Sequence, residues 1–382
     1  MNIAIDCRVL IQGKYSGVEW YAIHLMESLF EIDQKNQYFL WYNQMREEPE
    51  DLPSFDFSNV KKVFSFYPKK IIALSGVLFN YPKIDERVMP EKIDIFFTPF
   101  FHILPISSSC KKVTTIHDLS FEYYPEFFKL KNKIFHKLAP RKEANTPEYI
   151  ITDSESSRND LISLYKVPKD KTTVIYPACG KEFKPITSKK KLAKVRDKYD
   201  LPEKFILQLG NIEPRKNHLA TIHAFEKLKK EYNKDVRLVI AGKKAWRFRQ
   251  VEKALFQPDS KDDIILTGYI DEKDKPALLS LAEVFVYPSF YEGFGFPVLE
   301  AMSCGAPVIT ANASSLPEVC GDAVIYFDPY QIDSIQEKIK EIILNESLRQ
   351  NLSSRGVLRA GQFSWERTAR RTFQYLATFL GR

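Results

Sequence analysis

At 382 residues the chain is about two and a half times the roughly 150-residue prior for one domain, so two domains are expected. With 44% hydrophobic and 27% charged residues and a negative mean hydropathy, the composition is that of a soluble globular protein and excludes disordered and fibrous classes. A net charge of +7 is modest for this size, so nucleic-acid binding is not expected.

No stretch approaches the ~18 uninterrupted apolar residues of a spanning helix. Met1–Asp6 carries neither a basic nor a long apolar leader region. The five cysteines are scattered, odd in number and without C-x-x-C spacing, which argues against a disulfide framework or a zinc ribbon and fits a reducing cytoplasm.

In chain order, a short apolar strand at Ile3–Ile5 leads into a loop holding Gly13 and Gly17. A helix then follows over 18–30, with Val18, Tyr21, Ala22, Leu25 and Leu29 on one face. Further strands are expected at 38–42, 93–98, 113–116, 149–152 and 173–176. The lysine-rich stretch from about Ala178 to Glu203 reads as an interdomain connection and a solvated helix. Beyond it, strands at 205–209, 236–241, 264–267, 284–287 and 308–310 alternate with helices at 218–230, 273–282 and 297–303. Such alternation predicts an α/β protein with parallel sheets covered on both faces: two Rossmann-like β/α/β domains facing across a cleft. The expected division is 1–180, 181–362 and a last helix within 363–382 that returns to the first domain.

Three segments carry chemistry. In Val284–Thr310 a strand runs into Glu292-Gly293-Phe294-Gly295, Pro297 opens a helix and Glu300 lies one turn inside it. The glycines let a ligand approach the backbone, and the helix start offers N–H groups to oxygens. The second segment, Gly210-Asn211-Ile212-Glu213-Pro214-Arg215-Lys216-Asn217, follows a strand. Its Arg-Lys pair suits a diphosphate, because arginine offers a planar fork and lysine a mobile charge. The third is a strand ending in His117-Asp118. Taken singly, these read as a solvated glutamate pair, a surface basic pair and a structural histidine.

Together, EPRKN, the E-x₇-E pair in EGFGFPVLE and the strand-terminal HD resemble the family 4 retaining glycosyltransferases of the GT-B fold, particularly their bacterial mannosyltransferase-like members. IAIDCRVL, SGVEWYAIHLMESL, TTIHDLSFEYYPEFF, ITDSESSRNDLISLY, LQLGNIEPRKNHLATIHAF and FSWERTARRTF extend the resemblance over nearly the whole chain. Two departures stand out: the family's tight Gly-Gly pair is spread over Gly13 and Gly17, and its Asn-Gly after the last strand of the first domain reads Ala178-Cys179-Gly180.

The resemblance implies transfer of a hexose from a nucleotide-diphosphate sugar to a glycan or lipid-linked glycan acceptor in surface polysaccharide synthesis. Mannose from GDP-mannose is the leading donor; a UDP-sugar donor and an inactive nucleotide-sugar-binding protein are the alternatives. It assigns Arg215 and Lys216, with Gly210, to the donor diphosphate, and Glu292 with Gly293, Phe294 and Gly295 to sugar hydroxyls. It gives Glu300 to the ribose, His117 to the reacting sugar and β-phosphate, and Gly17 to the donor's approach. Asp118 either orients His117 or caps a turn. No Asp-x-Asp triplet occurs in the chain, so neither a metal nor any other cofactor is expected. A dehydrogenase reading fails because Gly293-x-Gly295-x-x-Val298 is incomplete and lies late in the chain.

The run Phe127–Lys142 sets Lys129, Lys131, Lys133, Lys137, Arg141 and Lys142 among apolar residues. It reads as a solvated helix or as a reversible contact with anionic lipid at the inner face of the cell membrane.

Overall fold

The computed structural model describes residues 1–12, 15, 17–44, 52–68, 72, 79, 81–101, 104–128, 141, 144–232, 235–245, 248–255 and 261–378. Gly13 and the basic residues Lys129, Lys131, Lys133, Lys137 and Lys142 lie outside the described residues. The chain divides into two compact units, Met1–Pro177 with Ser364–Arg382, and Ala178–Phe363. The divisions fall after Pro177 and before Ser364, against the expected 180 and 362.

In the first unit β1 (Asn2–Asp6), β2 (Gln37–Asn43), β3 (Val60–Ser65), β4 (Ile95–Thr98), β5 (Lys111–Ile116), β6 (Tyr149–Thr152) and β7 (Thr172–Val174) form one sheet in the order β3-β2-β1-β4-β5-β6-β7. All its pairings are parallel. The second unit repeats the plan with β8 (Phe205–Leu209), β9 (Arg237–Ala241), β10 (Ile264–Gly268), β11 (Val284–Tyr287), β12 (Val308–Ala311) and β13 (Ile325–Phe327), ordered β10-β9-β8-β11-β12-β13 and again parallel. Parallel sheets are covered on both faces, which is why Tyr38–Tyr42 and Phe205–Leu207 are unbroken apolar runs with no exposed surface.

Strand order reverses between β1 and β4 and again between β8 and β11. In open sheets of this kind, ligands bind outside the carboxyl ends of the strands at such reversals.

Two strands escape the sequence pattern. β3 is an edge strand whose Lys61 and Lys62 are exposed, and β13 has only three residues. The helix expected over 273–282 is a 3₁₀ turn at Glu272–Asp274 followed by a shorter helix, Lys275–Leu281, with Pro276 in its first turn.

The helices that matter to the site are α1 (Gly17–Ile32), α2 (Glu155–Tyr165), α3 (His218–Glu231), α4 (Lys275–Leu281), α5 (Phe296–Ser303) and α6 (Trp365–Ala377). Local chemistry starts two of them: the hydroxyls of Ser154 and Ser364 accept from the N–H groups of Ser157 and Arg367 at 3.1 and 3.2 Å. Glycine permits two tight passages. At Gly295, just before α5, φ is +105° and a Cβ would lie 2.8 Å from Leu316 Cδ2; at Gly242 a Cβ would lie 1.9 Å from the Gly210 carbonyl oxygen.

Helix α6 packs on α1 within the first unit. Trp365 meets Tyr21 edge-on at 5.7 Å and lies 5.5 Å from His24, while Thr368 Oγ1 donates to the Tyr176 carbonyl at 2.7 Å. Trp365 is 5% exposed, so Trp365→Ala is expected to cost about 3–5 kcal/mol, with Trp365→Phe costing much less. Denaturant unfolding of the two variants checks this, and equal loss for both would show that ring volume is not what holds α6.

Candidate active site

In the second unit, two loops meet at the β8/β11 reversal. After β8 the chain makes a 3₁₀ turn, Pro214–Lys216, and Asn217 at φ +53° turns it into α3. After β11, the 289–292 loop folds onto that turn. Phe290 N–H donates to the Arg215 carbonyl at 3.0 Å, and Arg215 Nη1 donates to the Tyr291 carbonyl at 2.7 Å.

The Glu292 carboxylate binds the loops together. Its Oε1 accepts from Lys216 Nζ at 2.6 Å, Ser289 Oγ at 2.5 Å and Tyr287 OH at 3.1 Å, and lies 2.9 Å from Arg215 Nη1. Lys216 Nζ also donates to the Tyr287 hydroxyl, and Arg215 Nη2 pairs with Glu213 at 2.9 Å. Burial by itself would push the Glu292 carboxyl up, but Arg215 and Lys216 beside it outweigh that and hold it at about 2. Burial, with Arg215 next to it, pushes the Lys216 ammonium down, a cost that Glu292 offsets only in part. His218, the first residue of α3, is neutral, held at about 3 by burial and the Lys216 charge.

This leaves two cations poised where an anion can take over their coordination. Glu292 Oε2 accepts no hydrogen bond among the described residues, so it remains available to a ligand hydroxyl.

Glu300 has a different environment. It sits on α5 with its carboxylate making neither a hydrogen bond nor an ion pair among the described residues. Burial pushes it up to about 7, against the pull of Lys275 and with the help of Glu272 and Glu182. Lys275 itself is paired with Glu272 at 2.7 Å. A half-buried carboxylate without donors is suited to receive a pair of hydroxyls. Gly210 and Gly17 have no atom within 4 Å of where a side chain would begin, so both present open backbone.

In the first unit His117 follows β5. Its Nδ1 lies 2.6 Å from Asp153 Oδ2, its Nε2 lies 3.0 Å from the Pro99 carbonyl oxygen, and Tyr21 meets the ring edge-on at 4.7 Å. Burial would lower the imidazolium, but Asp153, Pro99 and Asp118 together raise it above the ordinary histidine value. Of the two roles open to Asp118, the structure selects the turn: its Oδ1 accepts from Ser120 N–H at 3.0 Å and Ser120 Oγ at 2.8 Å.

The carboxylate on His117 is therefore Asp153, which sequence reasoning passed over within ITDSES. The signal lies in the pairing of β5 with β6, where Ile116 stands opposite Thr152 and the next residues are His117 and Asp153. Tyr287 and Ser289, also missed, sit five and three residues before Glu292 in the same strand and loop.

Comparison with known proteins agrees with this geometry. A family model described as Glycosyltransferase Family 4 matches residues 15–179, and one described as Glycosyl transferases group 1 matches residues 190–359. The chain is 32% identical over 317 residues to O-antigen chain mannosyltransferase B of Escherichia coli, covering 82% of each. It is 34% identical over 268 residues to the serotype-specific mannosyltransferase WbdA of Escherichia coli, covering 68% of this chain and 32% of that protein. Sucrose-phosphate synthase of Thermosynechococcus elongatus superposes with a TM-score of 0.78 over 100% of this chain and 99% of that one, at 18% identity, a likeness that carries the fold alone. With paired parallel sheets in β3-β2-β1-β4 order, and a relative of this identity aligned across most of its length, the chain belongs to glycosyltransferase family 4 and has the GT-B fold.

Proposed function

We propose that the enzyme moves mannose from GDP-mannose, with retention and without a metal ion, onto a glycan or lipid-linked glycan in surface polysaccharide synthesis. The observation that carries the reading is the Arg215–Lys216 pair, held at the β8/β11 reversal by one buried carboxylate, with a second, donor-free carboxylate at Glu300 on the adjoining helix. The mannosyltransferase relatives support the sugar, and their O-antigen names support the acceptor class.

In this reading the donor diphosphate takes over the Arg215 and Lys216 contacts. Their charge then stabilises the diphosphate as the sugar C1–O bond breaks. The acceptor hydroxyl attacks from the same face, and its proton passes to the departing phosphate oxygen. Glu292 receives sugar hydroxyls through Oε2, Glu300 receives the ribose hydroxyls, and the open backbone at Gly210 gives the donor room.

A thermal-shift and transfer panel of nucleotide sugars in excess EDTA tests the donor and the metal together. GDP-mannose should give the largest shift and should be turned over. Preference for a UDP-sugar would overturn the donor, and activity restored only by Mg²⁺ or Mn²⁺ would overturn metal independence.

Arg215→Ala should lower kcat by about 10²- to 10³-fold, as when one electrostatic donor to a transition state is lost. Steady-state rates within threefold of the parent would refute its role.

Glu300 generates a pH dependence. Its native value, about 7, lies above the ordinary carboxyl range, so the protonated form is favoured below neutrality, and ribose hydroxyls select the ionised form. Affinity for a nucleotide sugar, whose diphosphate diester does not titrate in this range, should rise on the order of tenfold from pH 6 to pH 8. Glu300→Gln should flatten that dependence, with its main effect on KM. Calorimetric titration at both pH values decides, and an unchanged slope in the variant would remove the ribose assignment.

A further inference from the structure

His117 is held at every polar atom of its ring. Asp153 Oδ2 faces Nδ1 at 2.6 Å and the Pro99 carbonyl faces Nε2 at 3.0 Å. A carboxylate and a carbonyl both accept, so both nitrogens carry protons when both bonds are made. Asp153 is 2% exposed and its Oδ1 has no hydrogen-bond partner among the described residues, so His117 is the cation that compensates it. The ring plane is further fixed by Tyr21 of α1, whose hydroxyl pairs with Thr115 Oγ1 at 3.3 Å and whose outer side meets Trp365 of α6. Behind the ring, Ser157 of α2 donates to the His117 carbonyl at 2.9 Å. The titratable groups facing His117 are Asp153 after β6, Asp118 after β5 and the Tyr21 phenol of α1, which burial keeps protonated.

We propose that Asp153 is a positioning residue for sugar transfer: it fixes the plane of the His117 ring and supplies its counter-charge, so that His117 serves the transfer as a cation and never as a base. The inference rests on the transferase reading and deepens it. A ring whose Nδ1 proton is committed to Asp153 and whose Nε2 proton lies on a carbonyl has no lone pair to offer an acceptor hydroxyl. The proton of that hydroxyl therefore goes to the departing phosphate oxygen, and what His117 contributes to the transfer is its positive charge. Deprotonation of the ring removes this contribution, so activity falls on the alkaline side as His117 titrates.

The test is Asp153→Asn, which keeps the shape and an acceptor oxygen while removing the charge. Ring ¹³C-labelled histidine in the full chain, with the His117 resonance assigned from a His117→Gln variant, gives the titration of His117 without turnover. In Asp153→Asn the midpoint should fall toward the ordinary value of about 6.5. The alkaline limb of the kcat profile should move down by the same amount, with the KM for the donor sugar within about threefold of the parent. A midpoint that does not move would overturn the proposal, as would a midpoint that falls while the kcat profile stays in place. Should the parent protein transfer no sugar at all, the transferase reading fails on that result, and the titration alone still decides whether Asp153 sets the charge on His117.

Discussion

A single buried oxygen organises the second unit. Glu292 Oε1 receives Lys216, Ser289 and Tyr287 and lies beside Arg215, joining the loop after β8 to the loop after β11. Burying a charge is costly, and the cost is met here by two cations that share one carboxylate, with two hydroxyls completing its hydrogen bonds. The same arrangement keeps Arg215 and Lys216 from withdrawing into solvent before a ligand arrives. Loss of either cation would leave a buried charge short of its partner, so the stability of these loops and their affinity for an anion have a common source.

The two units solve one problem twice. In each, an all-parallel sheet reverses its order beside the first strand, and loops leaving the carboxyl ends of the strands carry the polar chemistry, at the reversal itself in the second unit and after β4, β5 and β6 in the first. In the second unit those loops deliver cations, two carboxylates and open glycine backbone. In the first they deliver His117 from β5, Asp153 from β6 and the Pro99 carbonyl from β4. The environments differ in sign: Glu292 is held ionised by its neighbours, Glu300 is pushed toward neutrality by burial, and His117 is raised above the ordinary histidine value by a carboxylate. Three groups tuned in different directions by burial and by their immediate neighbours mark the loops of each unit as candidates for function.

The last helix ties distant sequence to the first unit's chemistry. Trp365 presses on Tyr21, Tyr21 presses on His117, and Thr368 secures the helix to the Tyr176 carbonyl. Residues nearly 250 positions apart thus share one packed wall, so a defect in α6 reaches the His117 ring through aromatic packing alone.

The sequence by itself determined the strands with unbroken apolar runs, the helices with strong periodicity, and the residue types at the EPRKN, EGFGFPVLE and HD segments. These signals are local: a fully buried parallel strand must be apolar throughout, and a strand-to-helix turn that admits a ligand needs glycine. Tertiary structure alone decided which side chains meet. β3 was illegible because an edge strand tolerates exposed Lys61 and Lys62, and β13 because three residues carry no period. Asp153 was illegible as the partner of His117, since only the pairing of Ile116 with Thr152 brings the two residues beside each other. The opposite direction in which Glu292 and Glu300 are tuned was equally hidden. The two are the same residue type eight positions apart, and what separates them is that Arg215 and Lys216 reach one while Lys275, already committed to Glu272, only approaches the other.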